Sequence, residues 1–152
     1  MAGTSTTPHI GEGSLVYLPI WVDGGLLYLG DLHAAQGDGE PFSGVECEGE
    51  VVLAVDSSRD LSIENPVVVT ADAVVTCGAG ATLEDAVRTA THDAIHLLEA
   101  ELGLSHAEAC MLCTIGCDIR LSQVMNPLVG AKVVVSRDLL PARSRWGLPT
   151  DR

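Results

Sequence analysis

The sequence predicts an α+β fold, a β-rich mixed domain with one long and one short helix. Three observations carry that expectation. Short valine-rich runs have strand character, residues 83–102 form a long capped amphipathic stretch, and a second cap signal at Ser105 opens a shorter helix that should end near Gly116. Residues 1–12 are small and polar and read as a flexible leader, residues 13–140 as the folded domain, and residues 141–152 as a tail.

The first strand-like run is 15–22, where Val16, Leu18 and Ile20 alternate with Leu15, Tyr17 and Pro19. Asp23-Gly24-Gly25 supplies a turn before the apolar residues 26–29, which together suggest a hairpin. Residues 30–40 follow, too rich in glycine and acid for a strand interior, and read as a site loop. Two further β runs are predicted at 51–55 and 66–76, the second apolar enough to be a covered strand. Thr82 caps the long helix with Asp85 at the third helical position, and Gly103 ends it. At 100° per residue, its apolar face collects Leu83, Val87, Ala90, Ala94, Leu97 and Leu98. The short helix begins at Ser105, with Glu108 completing its cap; an extended passage over 118–127 and a last strand over 132–136 close the domain.

Composition narrows the functional class. With 47% apolar and 19% charged residues, the chain can bury a core and is not a disordered segment. Its net charge of −13, from 21 acids against 8 bases, repels nucleic acid and anionic membranes, and its few arginines are scattered. No apolar run approaches the roughly 18 residues of a membrane span, and no secretory signal opens the chain. The expectation is a soluble cytoplasmic protein with no nucleic-acid or membrane partner, whose odd count of 5 cysteines stays reduced.

The strongest chemical pattern is Asp31-Leu32-His33 with Asp38-Gly39-Glu40 a few residues on. In an extended segment Asp31 and His33 project to the same side, and a carboxylate beside a neutral imidazole suits a zinc ion. Gly37 and Gly39 permit positive φ, so the loop can curl and return Asp38 or Glu40 toward the pair. A catalytic metal activates water, and Glu40 is placed to take its proton. The competing reading of the same loop is a turn whose acids satisfy backbone N–H groups.

Three other patterns weigh less. His92 and His96 have the spacing of a metal-binding helix, but rotation places both on the solvent face, beside Asp85 and Glu99. Cys110, Cys113 and Cys117 can share one helical stripe, and such small residues are more often core; Cys117 next to Asp118 is a weak candidate nucleophile. Asp118-Ile119-Arg120-Leu121-Ser122-Gln123, if extended, puts Asp118, Arg120 and Ser122 on one face. Arg120 then either pairs with a site carboxylate, orients an amide oxygen, or fixes a strand end.

Taken together, Gly13-Ser14-Leu15-Val16-Tyr17-Leu18-Pro19, Gly30 through Glu40, and Asp118 through Gln123 followed by Pro127 and Gly130 resemble the acetamidase/formamidase family in order and approximate spacing. The likeness runs over 13–136 and is to the C-terminal half of those enzymes. It implies a hydrolase of a small amide or lactam, dependent on a divalent metal such as zinc. Onto this chain it carries Asp31 and His33 as metal ligands, Glu40 as general base, and Asp38 and Arg120 as supporting or substrate-orienting residues. Family members are about twice as long, and their N-terminal half supplies further site residues. The resemblance therefore implies a small subunit of a hetero-oligomer whose partner chain carries that half. A catalytically silent assembly or binding subunit is the alternative. Cys117 stands where the family usually has glycine, and the stretch after Glu40, with Pro41 and Phe42, also departs from the pattern; both bear on the substrate more than on the reaction class.

Overall fold

A computed structural model of the chain describes residues 7–142 and 144–146. The architecture is α+β, as the sequence predicts, with two helices packed on one face of an antiparallel sheet. The strands are β1 (Leu15–Tyr17), β2 (His33–Ala35), β3 (Val45–Glu46), β4 (Val67–Val69), β5 (Ala73–Gly80), β6 (Cys117–Gln123) and β7 (Val129–Ser136); the helices are α1 (Leu83–Leu102) and α2 (His106–Gly116). Five strands form the main sheet in the order β1-β4-β5-β7-β6, and β2 and β3 make a separate two-stranded ribbon.

Strand alternation gives the main sheet two faces. Val67, Val69, Val74, Val133 and Val135 point to the helices and pack with Ala90, Ala94, Leu97 and Leu98 of α1. Val68, Ala73, Val75 and Cys77 point the other way, with Val134 beside them. Lys132 shares that second face and is wholly buried.

Both helix boundaries match their cap signals. Thr82 accepts a hydrogen bond from the Asp85 N–H at 3.1 Å, and Gly103 closes α1 in the left-handed region at φ 66. Ser105 and Glu108 form the reciprocal cap of α2. The buried stripe of α1 is shifted from the expected one, to Ala86, Ala90, Ala94, Leu97 and Leu98, while Leu83 is 45% exposed. The reason lies in β5. A side chain at Gly78 would come within 2.4 Å of the Ala86 carbonyl oxygen, and one at Gly80 within 2.6 Å of the Asp85 side chain. The helix settles directly onto these glycines, which draws Ala86 and Ala90 into the buried stripe.

Other expectations need correction. The predicted hairpin of 15–22 with 26–29 is absent: the turn forms, with Gly25 N–H donating to Val22 O at 3.1 Å, but β1 pairs with β4 instead. The run 66–76 is not one strand; Thr70, Ala71 and Asp72 turn it into the β4–β5 hairpin, with Thr70 N–H donating to Ala73 O. Residues 51–55 have strand composition but no strand partner, and their side chains stay exposed. Within the expected leader, Thr7 is buried against Lys132, and within the expected tail Trp146 is buried, meeting Tyr17 edge-on at 5.4 Å; residues 1–6 lie outside the described residues.

Candidate functional site

The chain reaches the ribbon through Asp31, whose backbone takes φ 63. Two non-glycine residues among those described adopt positive φ, Asp31 and Glu40 at φ 28, and both lie in the predicted site loop. Each such conformation costs on the order of 1–3 kcal/mol and persists only where the surroundings enforce it.

Asp31 and His33 do converge. His33 Nε2 is 3.1 Å from Asp31 Oδ1, with the imidazole only 7% exposed and the carboxylate largely in solvent. The antiparallel register of β2 and β3 sets His33 opposite Glu46. Donor atoms of Asp31, His33 and Glu46 all lie within 4.8 Å of one another. One nitrogen and two carboxylate oxygens at such spacing suit a zinc or similar divalent ion. Gly44 closes the ring's other side: an added side chain there would lie 2.3 Å from His33 Nδ1. Burial of the ring pulls the His33 pKa down, but the Asp31 hydrogen bond and charge, aided by Gln36 and Glu40, prevail and hold it above the ordinary imidazole value. The pocket thus attracts positive charge.

Glu40 is buried and accepts a hydrogen bond from Gln36 Nε2 at 3.2 Å. Its loop is pinned to the main sheet by Gly39 N–H, which donates to Leu121 O at 3.2 Å; Gly39 takes φ 91 and supplies the curl. Asp38 makes its contacts elsewhere than with the Asp31–His33 pair. It pairs with the buried Lys132 ammonium and lies 3.9 Å from Arg120, which is itself bound to Asp118 at 2.9 Å. Arg120 and Lys132 are register partners on β6 and β7, so Asp38 meets two cations side by side. Thr7 Oγ1 accepts from Lys132 Nζ at 3.0 Å. Burial and then the Lys132 charge hold the neighbouring His9 below the ordinary imidazole pKa.

Sequence reasoning missed Glu46 and Lys132. Glu46 sits 13 positions after His33, and only the ribbon pairing reveals it. Lys132 could have been found: a lone lysine within Ala131-Lys132-Val133-Val134-Val135 must have a counter-charge if that strand is buried. Cys117 fits a nucleophile poorly, since burial, Cys113 and Asp118 push its thiol up to about 12. His92 and His96 are exposed, where helix rotation put them.

A groove of about 490 Å³ runs beside Asp31, lined by Leu29, Leu32, Cys47, Glu48 and Val51. The two segments flanking it carry exposed apolar side chains, including Leu26, Tyr28 at 86% and Val52 at 98% exposure.

Residues 2–139 match the profile of the Acetamidase/Formamidase family. The formamidase of Methylophilus methylotrophus is 41% identical over 71 residues, which is 43% of this chain and 17% of that protein. Among solved structures, a predicted acetamidase/formamidase from Thermoanaerobacter tengcongensis superposes with a TM-score of 0.85 at 40% identity, covering 90% of this chain and 46% of its own. An acetamidase from Bacillus halodurans gives 0.83 at 39% identity, over 88% of this chain and 46% of its own. The chain thus spans less than half the length of these structures.

Proposed function

Since this chain belongs to the acetamidase/formamidase family, we propose that it is the small subunit of a metal-dependent amidohydrolase that cleaves the C–N bond of a small amide or lactam. The observation that carries this reading is the convergence of Asp31, His33 and Glu46 within 4.8 Å, with the Asp31 backbone held at φ 63. Asp31 and His33 are the proposed metal ligands, and Glu46 joins them from β3. A divalent ion, most simply zinc, would supply Lewis-acid polarisation of the amide carbonyl there.

This chain contributes further residues to the reaction. Glu40, largely buried and oriented by Gln36, accepts the proton of the attacking water and returns it to the amide nitrogen as the C–N bond breaks. Asp38 positions the Gly39–Glu40 turn by tying it to Lys132 and Arg120, and Gly39 adds a backbone hydrogen bond to Leu121. The amide nitrogen leaves as ammonia or, from a lactam, as the free amine end of the opened ring.

The partner chain in this proposal carries the other half of the family's fold and covers the groove beside Asp31. Support comes from the exposed apolar residues on both of its banks, Leu26, Tyr28 and Val52 among them, an uncovered surface of the kind that marks a protein interface. The test is co-expression with the polypeptide bearing that half, followed by metal analysis and assay of ammonia release from formamide and acetamide. Near-stoichiometric metal and turnover in the complex, both lost on His33→Ala, is the expected result. A metal-free, inactive complex would instead identify an assembly subunit.

A further inference from the structure

The exposed side of α1 carries a second group of imidazoles that the amidase reading does not use. His92 and His96 lie one helical turn apart, with their Nε2 atoms 3.0 Å from each other. Each ring turns its other nitrogen to a carboxylate: His96 Nδ1 lies 2.7 Å from Glu99 Oε2, and His92 Nδ1 lies 3.5 Å from Asp93 Oδ1. Glu99 can only accept, so it keeps the His96 ring proton on Nδ1 and leaves the lone pair on Nε2, to which His92 Nε2–H donates at 3.0 Å. A metal ion that displaced this shared proton would meet both Nε2 lone pairs above the helix.

The nitrogen spacing suits a metal ion, which the exposed rings can meet by small rotations. The ring centroids are 4.2 Å apart, farther than the two nitrogens, and the planes cross at 82°, so the rings splay apart behind their Nε2 atoms. With metal–nitrogen bonds of about 2.0–2.1 Å, a 3.0 Å separation corresponds to an N–metal–N angle of about 94°. That is close to the right angle of tetragonal Cu(II) or Ni(II) sites, and imidazole is a preferred ligand for both and for zinc.

The carboxylates are themselves held. The second oxygen of Glu99 accepts from His106 Nδ1 of α2 at 2.8 Å, and Asp93 accepts from Asn65 Nδ2 at 2.8 Å. Ligating imidazoles backed by carboxylates that are in turn hydrogen-bonded are the recurring second layer of protein metal sites. Both histidine side chains are more than half exposed, at 63% and 54%, which leaves the remaining coordination positions to water. We propose that His92 and His96 bind a divalent first-row transition-metal ion through Nε2, with Asp93 and Glu99 fixing the tautomers, at a site on α1 that shares no ligand with the Asp31, His33 and Glu46 group.

The experiment titrates the tag-free chain and its His92→Ala/His96→Ala variant with Cu(II), followed by calorimetry and electron paramagnetic resonance. The Asp31, His33 and Glu46 group is present in both proteins, so the difference between them isolates the helix site. The expected result is one equivalent of Cu(II) with a two-nitrogen hyperfine pattern in the parent chain, lost in the double variant. Glu99→Gln should keep that equivalent but weaken it by about tenfold. Circular dichroism of the variants checks that the helix is retained, as exposed positions allow. Equal binding by the parent and the double variant, or no two-nitrogen signal in the parent, would overturn the proposal.

Discussion

Lys132 is wholly buried in β7, and Asp38, 94 residues earlier in the chain, supplies the carboxylate that pairs with it. An ammonium without solvent requires such a partner, and this one also fixes the position of the proposed site loop. Removing one member of a buried pair costs about 3–5 kcal/mol, because the other is left uncompensated. Asp38 is 37% exposed, so water can partly replace it and Asp38→Ala should lower the unfolding free energy by less than the roughly 3–5 kcal/mol of a fully buried pair, read by urea denaturation. Adding Lys132→Met to the same chain should recover most of the loss, since an apolar pair of similar volume is often neutral. If Asp38→Ala unfolds at the parent's urea midpoint, the pair does not anchor the loop.

Metal binding at the ribbon should depend on each of three donors. Asp31→Ala, His33→Ala and Glu46→Ala are each expected to reduce divalent-metal affinity in the complex by about 100-fold or more, beyond the usual effect of outer-layer partners. Chelation should abolish ammonia release, and added zinc should restore it. Mass-spectrometric metal content decides the assignment, and full occupancy with any one donor removed would strike that residue from the ligand set.

Gly44 is the residue whose smallness sets the His33 ring. A Cβ there would stand 2.3 Å from His33 Nδ1, closer than any real contact, so Gly44→Ala should displace the imidazole and depress metal affinity. Gly37→Ala provides the comparison, since nothing lies within 4 Å of its Cβ position. Titration of both variants with zinc should separate them; equal affinities would show that the ring is not held by this contact.

The Cys117 thiol, pushed up to about 12 by burial, Cys113 and Asp118, stays protonated at neutral pH. At pH 8 its thiolate fraction is about 1 in 10⁴, too small for a working nucleophile. Iodoacetamide should modify the exposed Cys47 well before Cys117, and Cys117→Ser should keep amidase activity in the complex. The sign of the linkage follows from the raised value. The folded state holds this proton more tightly, so the contribution is complete below the free-thiol pKa of about 8.5 and is lost as pH climbs toward the folded value. Denaturation midpoints measured from pH 8 to 10.5 should fall less steeply in Cys117→Ser than in the parent.

Local signals were legible wherever the chain supplies both partners within a few residues. Thr82 with Asp85, Ser105 with Glu108, and Gly103 each satisfy backbone groups within one turn, so both helices begin, and α1 ends, where those residues say. The Asp31–His33 pairing was legible as a local contact two residues apart, although Asp31 reaches it at φ 63 and not in the extended form expected. The buried face of α1 was not, because it depended on two glycines of a strand that only folding brings underneath it.

By itself, then, the sequence determined the α+β class, the helix limits, and the loop of Asp31, His33, Asp38 and Glu40 that carries the family likeness. Tertiary structure alone decided that Glu46 joins Asp31 and His33, that Asp38 turns to Lys132 and Arg120, and that 51–55 remains without a strand partner. The physical reason is the range of the interactions. Caps and turns are satisfied locally, whereas strand register and the need of a buried charge for a counter-ion are met by residues far apart in the chain.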